Sequence, residues 1–137
     1  MRYGVTGATG LLGRLVIEGL LETQAPGNII AIVRDETKAA DLAERGVRVR
    51  VASYDDRPVL DAALSGIDKL LLISGNEVGK RIPQHKNVID AAKSVGVKHV
   101  VYTSAPKATT SELVLAPEHK ATEEYLAGSG LTYTILR

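Results

Sequence analysis

Gly7-Ala8-Thr9-Gly10-Leu11-Leu12-Gly13 joins two stretches of the chain that differ in their apolar periodicity. Residues 2–6, which precede it, are predicted to form a strand, and residues 10–22 have the spacing of a helix. Three glycines between a strand and a helix allow a sharp turn, approach of backbone N–H groups to a phosphate, and close helix packing. The turn is therefore expected to hold the pyrophosphate of a dinucleotide, with Thr9 capping the helix or donating its hydroxyl to phosphate.

Apolar runs alternate with amphipathic stretches from one end of the chain to the other. The predicted strands are 2–6, 28–33, 47–52, 69–73, 99–103 and 131–136. The predicted helices are 10–22, one from Asp35 to near Gly46, 56–64, 81–95 and 117–127. In the first helix, Leu12, Leu15, Val16 and Leu20 share one face. This alternation predicts an α/β fold with a doubly wound, parallel, six-stranded sheet.

Composition limits the class of protein further. The 137 residues predict a single domain, 1–137, with none left for a substrate domain. Their net charge of +1 gives no general electrostatic attraction to nucleic acid. No apolar run is long enough for a membrane span. The chain has no cysteine, which excludes thiolate chemistry and fits a cytoplasmic location. Its three histidines lack metal-ligand spacing, so no metal site is expected.

Two basic residues follow the second predicted strand. Arg34 comes directly after it, where NAD-specific sites carry an acidic residue for the ribose 2′-hydroxyl. A guanidinium offers donors to a 2′-phosphate instead, and Lys38 adds a second positive charge one helical turn later. Asp35 lies between them and is interpreted as a helix cap that points away. The cofactor is therefore expected to be NADP(H).

Further stretches accompany the glycine turn. They are Ala31-Ile32-Val33-Arg34, Leu71-Leu72-Ile73-Ser74 with Glu77-Val78-Gly79, Tyr102-Thr103-Ser104, and Tyr133-Thr134-Ile135-Leu136-Arg137. With them the chain resembles the NmrA-like group of atypical short-chain dehydrogenases, and within it the bacterial NADPH-dependent quinone oxidoreductases of the type 2 kind. The resemblance covers the cofactor half of such an enzyme.

The resemblance implies a Rossmann fold with strand order 3-2-1-4-5-6. It also implies pyrophosphate contacts from Gly7, Ala8, Thr9, Gly10, Leu11 and Leu12. Arg34 would contact the 2′-phosphate, and Ser74, Gly75 and Asn76 would contact the cofactor above the fourth strand. A quinone would then accept hydride from NADPH.

The catalytic Tyr-x-x-x-Lys of ordinary short-chain dehydrogenases is absent from the sequence. Many NmrA-like relatives keep a lysine at the start of the last helix, a place that His119 holds here, with Lys120 beside it. His119 is thus a weak candidate for proton donation, because a histidine in the first turn of an exposed helix is more often a solvated surface residue.

Two classes of function remain open. The first is the NADPH-binding half of a quinone oxidoreductase. The alternative is a non-catalytic NAD(P)-binding module, either an NmrA-like redox sensor or an engineered minimal Rossmann domain. A sugar-nucleotide epimerase would require the missing Tyr-x-x-x-Lys. The last strand, 131–136, is an apolar edge, so self-association as a homo-oligomer is expected there.

Overall fold

The computed structural model describes residues 1–73, 80–103 and 116–136, the last range with side chains from His119 onward. Within these residues the strands are β1 (Tyr3–Thr6), β2 (Ile29–Val33), β3 (Arg48–Val51), β4 (Lys69–Ile73), β5 (His99–Thr103) and β6 (Thr132–Leu136). The helices are α1 (Leu11–Leu21), α2 (Ala40–Glu44), α3 (Arg57–Leu64), α4 (Arg81–Val95) and α5 (Ala116–Ala127). All strand pairs are parallel, in the order β3-β2-β1-β4-β5-β6, which confirms the expected topology.

Local signals position most helix ends as the sequence predicts. The Asp56 carboxylate accepts from the Val59 N–H at 3.3 Å and caps α3, whose second residue is Pro58. Pro83 lies in the first turn of α4, where its missing N–H costs nothing, and Gly96 follows the end of that helix. The short connections leave β1 to β4 with their carboxyl ends along one edge of the sheet.

The core lies on both faces of the sheet. Helices α1 and α2 cover one face, where Ile17 and Leu42 pack against alternate residues of β1 and β2. Helices α3 to α5 cover the other, where Leu60, Ile89 and Leu126 share one buried apolar cluster with Leu72. Strand β2 is buried at every position, as its continuous apolar sequence predicts.

The predicted inner face of α1 is wrong at two of its four positions. The buried residues of α1 are Gly13 and Ile17, whereas Leu12 and Leu15 are 45% and 62% exposed. The reason is the close packing of Gly13 against the backbone of Gly7, which fixes the rotation of the helix about its axis. Val16 and Leu20, the remaining predicted positions, are half-buried.

The second predicted helix is also wrong in form. Its first part, Glu36–Ala39, is a 3-10 turn, and only Ala40–Glu44 is α-helical. The Asp35 carboxylate accepts from both the backbone N–H and the hydroxyl of Thr37, at 3.0 and 2.6 Å. This local Asx-type turn competes with an α-helical first turn, so the segment tightens.

Substituting two glycines of α1 tests whether close packing fixes this helix. A Cβ at Gly13 would lie 2.3 Å from the Gly7 carbonyl oxygen, so Gly13→Ala is expected to lower the free energy of unfolding by about 3 kcal/mol. A Cβ at Gly19 meets no atom within 4 Å. Gly19→Ala should therefore raise that free energy by about 0.5–1 kcal/mol. Urea unfolding measures both, and equal stability of Gly13→Ala and wild type would contradict the packing.

Candidate cofactor site

A cleft of about 410 Å³ opens at the carboxyl edge of β1 to β4. Five of the residues predicted to bind the cofactor line it. They are Gly7, Thr9, Gly10, Arg34 and Lys38. The structure thus brings the glycine turn and both basic residues to one cavity at the position where open α/β sheets bind ligands.

The glycine turn has the backbone geometry that the sequence predicts. Gly7 has a φ of 59°, a left-handed conformation that residues with a Cβ rarely adopt, and its carbonyl accepts from the Gly10 N–H at 3.0 Å. Gly10, rather than Thr9, is the N-cap of α1, and no side chain accepts from the first turn there. The N–H groups at this end of the helix carry partial positive charge, which is the arrangement that favours an anion.

The basic side of the cleft is held by contacts to α1. Arg14 donates to the Lys38 carbonyl oxygen at 2.6 Å and forms an ion pair with Asp41 at 2.8 Å. Asp35 also lines the cleft, and the hydrogen bonds from Thr37 hold the pKa of the Asp35 carboxyl below its ordinary value. The cleft wall therefore carries two cationic side chains and one ionised carboxylate that is engaged in a cap.

Tyr54 is a functional candidate that sequence reasoning missed. Its hydroxyl donates to the Ile73 carbonyl oxygen at 2.8 Å and lies 2.7 Å from Thr6 Oγ1, and Asn87 donates to its backbone oxygen at 2.9 Å. Burial raises the pKa of Tyr54 to about 12, so the hydroxyl keeps its proton near neutral pH. Tyr54, Ile73 and Gln84 line the cleft, but only the position of Tyr54 after the third strand could have indicated it.

The predicted surface position of His119 is wrong. This side chain is only 6% exposed, and its Nδ1 lies 2.7 Å from the hydroxyl of Tyr102, which is fully buried on β5. A buried tyrosine hydroxyl requires a hydrogen-bond partner, and the inner face of α5 supplies one. His119 does not belong to the lining of the cleft, so its role in proton donation stays a prediction.

His85 forms a second buried polar pair between α4 and α5. Its Nδ1 lies 2.9 Å from Thr122 Oγ1, and its ring meets the Tyr102 ring edge to face at 5.4 Å. Desolvation, with smaller contributions from His119 and Arg81, lowers the pKa of His85 to about 4. His85 is therefore neutral at physiological pH.

The remaining predicted cofactor contacts are not among the described residues that line the cleft, and they stay predictions. Ala8 is buried in the core, and Leu11 and Leu12 are exposed outside the cleft lining. Ser74, Gly75 and Asn76 lie outside the described residues. In the part of the chain that the structure describes, no three potential metal ligands lie together, and no helix is long and apolar enough to cross a membrane.

Strand β6 is the outer strand of the sheet next to β5. Tyr133 and Leu136 on this strand are exposed, as expected for an apolar edge. Pairing of a second copy with this edge stays a prediction.

The fold and the cleft together define a dinucleotide-binding Rossmann domain. The chain belongs to the NAD(P)H-binding family, whose sequence profile matches residues 7–137. Quinone oxidoreductase 2 of Escherichia coli strain K12 is 56% identical over 133 residues, which are 97% of this chain and 46% of that protein. An NmrA-like family domain-containing oxidoreductase of Aspergillus flavus is 38% identical and is matched over 100% of this chain and 47% of its own length.

Solved structures agree with these relatives. The NADPH-dependent quinone oxidoreductase of E. coli complexed with NADPH superposes with a TM-score of 0.92 at 55% identity, over 98% of this chain and 48% of that one. The Citrobacter triphenylmethane reductase complexed with NADP(H) gives 0.94 at 44% identity, over 100% and 49%. The resemblance to NmrA-like quinone oxidoreductases is confirmed, and the chain spans about half the length of these relatives.

The low pKa of His85 predicts that acid destabilises the fold. An unfolded histidine binds a proton near pH 6.5, whereas His85 in the fold resists protonation down to about pH 4. The unfolded state therefore binds more protons within this window, and stability falls as pH falls from 6.5 to 4. Between pH 6.5 and pH 4, His85 should lower the free energy of unfolding by about 3 kcal/mol.

Urea unfolding of wild type and His85→Gln between pH 4 and 7.5 measures this contribution. The variant retains a polar side chain at position 85 but cannot titrate, so its stability should change less with pH than that of wild type. Parallel pH profiles for the two proteins would show that His85 is not responsible.

Proposed function

We propose that the chain binds NADPH along the cleft, as the cofactor-binding half of a quinone-reducing oxidoreductase. The observation that carries the proposal is the shared cleft, which joins a left-handed glycine turn at the N-terminus of α1 to Arg34 and Lys38. The first feature suits a pyrophosphate and the second suits a 2′-phosphate. The relatives described above support both the cofactor and the quinone substrate.

Each part of the cleft has a distinct task in this proposal. Backbone N–H groups of the turn bind the pyrophosphate, and Arg34 with Lys38 binds the 2′-phosphate. Ser74, Gly75 and Asn76 remain proposed contacts on sequence grounds. The bound cofactor supplies hydride, and the protein supplies binding and orientation.

Reduction of a quinone by two electrons consumes one hydride and one proton. His119 lies outside the cleft lining, and the proposal therefore assigns that proton to solvent. A quinone tolerates this arrangement because it needs little assistance from a protein acid.

Removing the basic side chains tests the cofactor preference. Arg34→Ala and Lys38→Ala should each weaken NADPH binding about tenfold to a hundredfold, because each removes a charge-assisted contact. NADH binding should change little. Arg48→Ala is the matched control, since Arg48 is exposed at the amino end of β3, away from the cleft edge. Isothermal titration measures all four proteins, and equal losses for NADPH and NADH would contradict the assignment of the 2′-phosphate site.

Turnover separates the two classes of function. Under anaerobic conditions with a small benzoquinone, the oxidoreductase hypothesis expects NADPH oxidation, followed at 340 nm, above the protein-free rate. Gly13→Ala should reduce that rate together with binding, because the added Cβ lies against the phosphate turn. Tight NADPH binding with no turnover would instead support a non-catalytic module.

A further inference from the structure

The last residue of β4 is held by two side chains rather than by main-chain pairing with β1. The paired residues of β1 and β4 end at Val5 and Leu71, two positions before Ile73. Beyond that point the Ile73 N–H donates to Thr6 Oγ1 at 2.9 Å, and the Ile73 carbonyl accepts from the Tyr54 hydroxyl at 2.8 Å. Both peptide groups of Ile73 are thus satisfied from the β1 side, by residues distant in sequence. We call Thr6 and Tyr54 the Ile73 clamp.

The clamp is rigidly supported. Thr6 is fully buried, and its Oγ1 lies 2.7 Å from the Tyr54 hydroxyl oxygen and 3.2 Å from the Leu71 carbonyl oxygen. Because the Tyr54 proton goes to Ile73, the single Thr6 proton serves the shorter contact and is donated to the Tyr54 oxygen. Asn87 of α4 donates to the Tyr54 backbone oxygen and holds the loop that carries the ring. Buried polar groups that are all paired fix one geometry, because any displacement leaves one of them without its partner.

The clamp lies at the middle of the cleft. Arg34 and Lys38 follow β2, on one side of β1, whereas Ile73 ends β4 on the other side. In a sheet of this order a dinucleotide lies across the point where the strand order reverses, between β1 and β4. The half with the 2′-phosphate then lies toward β2, and the other nucleotide half lies toward the end of β4. Tyr54 and Ile73 both line the cleft.

We propose that Thr6 and Tyr54 are positioning residues that fix the position of Ile73 at the end of β4. Through that position they determine how tightly the cleft binds the nicotinamide nucleotide half of NADPH. This inference rests on the proposed NADPH binding and deepens it. The Tyr54 hydroxyl is occupied by Ile73 and Thr6, so it acts through the strand rather than on the adenosine half. Loss of the clamp should therefore weaken binding of the whole dinucleotide more than binding of an adenosine fragment.

Tyr54→Phe tests the clamp, because it removes the hydroxyl and keeps the ring that lines the cleft. Isothermal titration with NADPH and with adenosine 2′,5′-bisphosphate, which lacks the nicotinamide half, separates the two ends of the cleft. The NADPH dissociation constant should rise about tenfold, as expected for the loss of one buried hydrogen bond, and that of the fragment less than about twofold. Tyr133→Phe, which alters an exposed tyrosine of β6, is the matched control.

Thr6 provides a second, independent variant. Thr6→Val removes the acceptor for the Ile73 N–H and should give the same selective loss, whereas Thr6→Ser keeps the hydroxyl and should restore affinity. Urea unfolding verifies that each variant is folded, and if Tyr54→Phe does not fold, the Thr6 pair decides the test.

The outcomes separate this inference from the proposed function. In one outcome the wild type binds both ligands while the variants lose affinity for both equally or for neither. That result overturns the clamp and leaves the proposal of NADPH binding intact. Wild type that binds neither ligand overturns both proposals. Selective loss of NADPH affinity in Tyr54→Phe and Thr6→Val, with recovery in Thr6→Ser, supports the clamp.

Discussion

Gly13 touches the backbone of the turn that precedes it, and the rest of the cleft depends on that contact. A Cβ there would lie 2.3 Å from the Gly7 carbonyl oxygen and 2.8 Å from the Ala8 Cα. The contact fixes both the distance of α1 from β1 and its rotation about its own axis. It directs the N-terminus of the helix at the cleft, and it turns Leu12 and Leu15 outward. A sequence rule that assigns leucine to the core fails here because backbone packing decides the orientation.

Arg14 carries the effect of that contact to the basic side of the cleft. Its guanidinium donates to the Thr9 carbonyl in the turn and to the Lys38 carbonyl beyond β2, and it pairs with Asp41. As an exposed ion pair it contributes little to stability. Arg14 matters for geometry, since its one planar guanidinium bridges the glycine turn and the backbone of Lys38. The glycine turn and the basic side of the cleft are therefore positioned relative to each other by α1.

The sequence predicts the fold well because its signals are local. Strand β2 and most of β4 have continuous apolar sequences, and the turn residues Gly7 and Gly10 define their own geometry. The glycine turn and the two basic residues of the cleft follow from position along the chain. The contacts of Tyr54 and His119 do not follow from position along the chain. The partners of the Tyr54 hydroxyl lie 19 and 48 residues away and that of His119 lies 17 residues away, and only the folded sheet brings them together. The tight turn after Asp35 was missed because a side-chain hydrogen bond competed with helix periodicity.

The buried polar pairs explain how the other half of the sheet keeps its order. His119 and Thr122 of α5 contact Tyr102 of β5 and His85 of α4, so α5 is bound to both neighbours by directional contacts. Apolar packing alone tolerates sliding of a helix along its axis, whereas these hydrogen bonds exist at a single axial position. Replacing both partners of a pair with apolar groups could preserve stability and still lose that position. Backbone contact at Gly13 thus positions α1 at the cleft, whereas paired side chains in the core position α5 on the other half of the sheet.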